Sequence, residues 1–170
     1  VNTNMRDNRN TFSAKYVSKD MQDLISKINP EDYQAIIALP FYHQGSENFS
    51  RPVTEPILSN SILLSYHTGL PLVNANLTRL SIQESKNCIA LIGPNTFKKA
   101  IEKDLLDSRP FLLVVSRNNL NKYEKDIVSN GKLIAECETC AIYQLEKDAL
   151  FTKEPKTHTK RTLSYDTSTI

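Results

Sequence analysis

The chain has 170 residues, 39% hydrophobic and 24% charged, which suits one domain with a single core and implies that most of the chain is neither disordered nor membrane-spanning. With 21 basic against 19 acidic residues the formal charge is +2, too balanced for a general pull toward nucleic acid or anionic lipid. Only 4 glycines occur, and G-x-S-x-G, P-loop and G-x-G-x-x-G patterns are missing, so the common hydrolase and nucleotide-binding signatures are excluded.

Residues 1–12 are polar and aperiodic and read as a flexible N-terminal segment. From Ser13, a plausible cap, Tyr16 or Val17, then Met21, Leu24, Ile25 and Ile28 recur at helical spacing until Asn29-Pro30 stops the helix. "YQAIIALP" (33–40) is a short, nearly continuous apolar run, the pattern of a strand covered on both faces. A helix is predicted over 55–69, ending at Gly69, and a second buried strand in "LPLVNA" (70–75). "SIQESKNCIALIG" (81–93) reads as a helix, with a strand open for its β-branched end. Phe97, Ile101 and Leu105 predict an amphipathic helix over 95–108. "PFLLVVS" (110–116) is the strongest strand. A helix follows over 119–131, capped by Asn118 or Asn119 and closed by Asn130-Gly131. "KLIAECETCAIYQLEK" (132–147) predicts a hairpin around Glu138-Thr139, and beyond it the pattern dissolves.

This alternation predicts an α/β fold, a Rossmann-like three-layer sandwich with a mostly parallel sheet and a C-terminal antiparallel hairpin at its edge. The α/β domain is expected over 13–148, with 149–170 a tail or a linker to a further region. Ligands in such folds bind beyond the carboxyl ends of the strands. That rule selects the loop after Leu39, the segment Asn74 to Arg79 and the segment Ser116 to Asn119. Tyr42, His43, Glu47, Asn74 and Arg79 form the candidate ligand pocket, with His43 as a base that Glu47 orients and Glu47–Arg79 as an ion pair. The competing reading makes the same loop a structural corner. Pro40 ends the strand, Phe41 and Tyr42 cap the sheet, and Gly45 permits a tight reversal.

Cys137 and Cys140 form a C-x-x-C across the predicted turn. A disulfide and a pair of inert thiols both stay open there. Only Cys88 remains as a further thiol, which leaves a zinc site short of ligands, so no metal and no cofactor are expected. The basic residues of the C-terminal tail lack an aromatic platform and predict no nucleic-acid partner.

"INPEDYQAIIALPFYHQGSE", "TGLPLVNANLTRLS" and the stretch from "RPFLLVVS" to "AIYQLEK" together resemble a soluble region of large polytopic membrane proteins of Bacteroidetes-type bacteria, related to GT-C glycosyltransferases. The resemblance covers residues 15–147. It implies an extracytoplasmic domain at the periplasmic face of the inner membrane. Its partners would be the membrane-embedded remainder of the same polypeptide and a glycan or lipid-linked sugar. The family's catalytic acids lie in membrane-proximal loops that match nothing here, so the resemblance assigns no catalytic residue. A start at Val1 without Met, and a fading end in "THTKRTLSYDTSTI", fit a piece cut from such a parent. The alternative expectation is a self-contained small α/β enzyme or small-molecule-binding protein using the loop after the first strand.

Overall fold

A computed structural model describes residues 17–45, 49–53, 56–76, 80–105, 107–117 and 120–151. Helix α1 (Lys19–Ser26) starts where the Ser18 side chain accepts from the Met21 N–H, and it buries Met21 and Leu24. Strand β1 (Ala35–Leu39) and, far along the chain, β5 (Phe111–Ser116) are buried at every position, as their unbroken apolar runs require. Helix α2 (Ile57–Thr68) ends on Gly69, whose φ of 71° is the left-handed cap that glycine adopts without strain. Helix α3 (Ile82–Ala90) and helix α4 (Lys122–Ser129) each open on a complete capping box, Ser81 with Glu84 and Asn121 with Glu124. The chain then forms the hairpin of β6 (Lys132–Glu136) and β7 (Cys140–Leu145).

The main sheet has the order β1-β5-β7-β6. Its two faces carry two separate cores, because alternate residues of a strand point to opposite sides. Ile36, Ala38, Leu112, Val114 and Ile142 meet Met21, Leu24, Ile57 and Leu64 of α1 and α2. Ile37, Leu39, Phe111, Leu113 and Val115 meet Leu91, Ile92, Ile127, Leu150 and Phe151. Each fully buried Leu or Ile contributes roughly 1.5–3 kcal/mol.

The expected mostly parallel, Rossmann-like sheet is overturned. Within the main sheet, among the described residues, only β1 and β5 pair in parallel; β7 lies antiparallel to β5, and β6 antiparallel to β7. The hairpin therefore builds half of the sheet, with β7 inserted beside β5, where an appended edge was expected. The second predicted strand also shrinks. Around Pro71 it makes a single bridge, Ile36 to Leu72, before the side chain of Asn74 replaces the ladder. A second small sheet, unforeseen from the sequence, joins β2 (His43–Gln44), β3 (Ser50–Arg51) and β4 (Ala75–Asn76) in the order β3-β2-β4.

The predicted helix over 95–108 is also corrected. Residues Ala100–Asp104 form a 3-10 helix, and Phe97, expected on its apolar face, is 67% exposed. The buried Lys99 ammonium holds this segment, donating to the Leu91 carbonyl at 2.7 Å and to Asn95 Oδ1 at 3.2 Å. Burial lowers its pKa to about 8. The expected caps Ser13, Asn118 and Asn119 lie outside the described residues; α4 is capped by Asn121.

Candidate functional site at the carboxyl end of the first strand

Past Leu39 the chain meets a proline, which has no N–H to extend the ladder. What replaces the ladder is a set of side chains. Asn74 is 5% exposed and bonds wholly to backbone. The Ala38 N–H donates to its Oδ1 at 2.7 Å, and its Nδ2 donates to the carbonyls of Ala38 at 3.1 Å and Tyr42 at 3.2 Å. One amide thus supplies the contacts a neighbouring strand would make, and ties the loop to the strand end.

Tyr42 turns inward to 1% exposure, with its hydroxyl 2.9 Å from Ser61 Oγ on α2. The Ser61 hydroxyl donates its only proton to the Leu58 carbonyl at 2.9 Å, so the tyrosine is the donor of the pair. Phe41, 2% exposed, packs in the opposite core, and its N–H donates to Glu124 Oε1 at 2.9 Å. The two aromatics therefore anchor the corner on both faces of the sheet.

Glu124 is the residue that sequence reasoning missed. Its side chain is 2% exposed, yet Oε1 also receives Arg51 Nη1 at 3.3 Å and Oε2 receives the Asn121 N–H at 2.9 Å. A buried carboxylate needs such donors to offset its lost hydration. The capping-box spacing Asn121-x-x-Glu124 was the available signal, but its link to Phe41 spans 83 residues.

His43 is fully buried, in register with Arg51 on one side and Ala75 on the other. Among the described residues neither ring nitrogen has a hydrogen-bond partner. Gly45 lies against the ring. A Cβ there would sit 3.0 Å from His43 Nε2 and 2.6 Å from Leu80 Cδ1. Close approach is therefore the structural demand at Gly45, while its N–Cα geometry needs no left-handed φ. The structure brings Tyr42, His43 and Asn74 to one corner. Glu47 and Arg79, with their expected ion pair, lie outside the described residues.

Burial lowers the His43 pKa below its ordinary 6.5, because a charged imidazole loses hydration there. The unfolded chain then binds more protons than the folded one in the window just below 6.5. The stabilising effect of the neutral ring is complete above that value and is lost as pH falls toward the lowered folded value. Urea midpoints should fall between about pH 7.5 and about pH 5.5, and His43→Gln should flatten that fall. An equal fall in the variant would assign the effect to other groups.

At the hairpin turn Cys137 and Cys140 are free thiols with their sulfurs 3.1 Å apart. Among the described residues no group of three or more His, Cys, Asp or Glu is placed to hold a metal ion, and no helix is long and apolar enough to cross a membrane. Compared with protein-family models, curated proteins and solved structures, the chain matches none.

Proposed function

We propose that this chain is a non-catalytic, extracytoplasmic domain of a larger membrane protein of the GT-C glycosyltransferase type, assisting access of the acceptor. The observation that supports this reading is the use made of the polar groups at the strand end. A catalytic acid or base has to face a substrate within hydrogen-bond reach. Here Asn74 and Glu124 are turned to backbone N–H and carbonyl groups, and the Tyr42 hydroxyl is turned to Ser61. The chemistry of such a parent would reside in its membrane-proximal loops. This domain would meet the membrane-embedded remainder of the polypeptide and the glycan or lipid-linked sugar at the periplasmic face.

A second reading, a self-contained small α/β enzyme or small-molecule-binding protein, is favoured by the unpartnered nitrogens of His43. The encoding gene separates the two. The first expects the reading frame to continue upstream through several apolar segments of about 20 residues, and the expressed full-length product to sediment with the inner membrane. A frame that starts within a few codons of Val1 would sink it and leave the second reading.

A further inference from the structure

The Cys137-Glu138-Thr139-Cys140 turn is the element that the proposed role does not use. Its two sulfurs are unequal. Cys140 is fully buried among the residues of the first core, whereas Cys137 is only partly covered. Four bonds hold the turn. The Cys137 N–H donates to the Cys140 carbonyl at 2.8 Å, and Arg117 Nη2 donates to the Cys137 carbonyl at 2.9 Å. Asn60 Nδ2 donates to Thr139 Oγ1 at 3.1 Å, and that hydroxyl lies 3.6 Å from Cys137 Sγ. The turn is thus tied to α2, to the end of β5 and to its own flanks. The two thiols face each other at 3.1 Å before any oxidation takes place.

We infer that Cys137 and Cys140 form a thiol–disulfide exchange site, with Cys137 as the attacking thiol, Cys140 as the resolving thiol and a low-molecular-weight disulfide as the substrate class. In the first step the Cys137 thiolate attacks one sulfur of the small disulfide. The S–S bond breaks, a mixed disulfide forms on Cys137, and one small thiolate leaves. In the second step Cys140 gives its proton to solvent, from which the departing small thiolate is reprotonated, and its sulfur attacks Cys137 Sγ. The mixed disulfide breaks, the second small thiolate leaves, and the Cys137–Cys140 bond forms. Overall the protein dithiol is oxidised by two electrons and one small disulfide is reduced to two thiols. The reverse sequence reduces the protein.

The electrostatics agree with the division of roles. Burial pushes the Cys137 thiol up, but hydrogen bonds from the Cys140 thiol, the Thr139 hydroxyl and the turn backbone outweigh it and leave the thiol below its ordinary value. Burial, with Cys137 beside it, pushes Cys140 up to about 12, so it keeps its proton until a mixed disulfide is in place. Cys88 supplies an internal reference, since burial and the Glu84 carboxylate raise its pKa.

The test uses the 170-residue chain, fully reduced and then exposed to oxidised glutathione. Iodoacetamide alkylation and peptide mass mapping follow. The expected result is loss of both alkylatable thiols at Cys137 and Cys140 with the loss of two hydrogens, full reversal by dithiothreitol, and Cys88 alkylated throughout. Cys140→Ser should hold a stable glutathione adduct at Cys137, and Cys137→Ser should leave Cys140 unmodified. Cys140→Ala repeats the trap without placing a hydroxyl in the core. Wild-type protein whose Cys137 and Cys140 stay fully alkylatable would overturn the inference. So would a trapping variant of native circular dichroism that takes up glutathione no faster at Cys137 than at Cys88.

Discussion

Asn74→Ala should lower the unfolding free energy by about 3 kcal/mol, seen as a shift in urea midpoint at constant slope. The magnitude follows from what alanine leaves behind. The Ala38 N–H and the Ala38 carbonyl lie in a strand with no solvent access, and the Tyr42 carbonyl sits at the adjoining corner. Each orphaned buried group costs about 1–3 kcal/mol, and a carbonyl with a second lone pair in use costs less than an N–H. Asn74→Asp should not rescue the fold. Its carboxylate can still accept from Ala38, but its second oxygen would face two carbonyl oxygens where a donor stood. A loss below about 0.5 kcal/mol in the alanine variant would mean that other groups or water satisfy this edge.

Glu124→Ala should cost a similar amount, about 3 kcal/mol, for a different reason. It leaves the buried Phe41 N–H without an acceptor and opens the capping box of α4. The Arg51 contact adds little to this total. Its side chain is 33% exposed, so its charge rehydrates when the carboxylate is gone. Arg51→Ala should accordingly shift the midpoint by no more than about 1 kcal/mol. Glu124→Gln should recover part of the loss, because its amide oxygen can take the Phe41 N–H while its NH2 then opposes the Asn121 N–H. Equal losses for Arg51→Ala and Glu124→Ala would locate the energy in the ion pair and contradict this account.

Local chemistry was well written in the residues. The apolar runs at 35–39 and 111–116 became the two fully buried strands, and Gly69 became the cap of α2. The stretch "KLIAECETCAIYQLEK" around Glu138-Thr139 became the β6–β7 hairpin. Partner choice was not legible. Nothing in the composition of "AIYQL" distinguishes an edge strand from one that inserts beside β5. Nor does "LPLVNA" disclose that an asparagine side chain, 36 residues from its partner, will do the work of a strand. The apolar spacing of Phe97, Ile101 and Leu105 predicted a helix that tertiary contacts overrode, since Lys99 is drawn down onto the Leu91 carbonyl. At the candidate site, the sequence named Tyr42, His43 and Asn74, which meet at one corner of the structure. It could not show that two of them are turned toward the protein itself, because burial depends on contacts spanning 19 and 36 residues.

Strand β5 divides the two cores. Phe111, Leu113 and Val115 fill one core while Leu112 and Val114 fill the other. The strand is a party wall: moving it to relieve crowding on one side compresses the other. A slip of a single residue would exchange all five side chains between cavities shaped for different volumes. Neither layer can therefore drift, loosen or be redesigned alone. Evolutionary change in one layer is constrained by the other, and a substitution at a wall position has to satisfy both neighbourhoods at once.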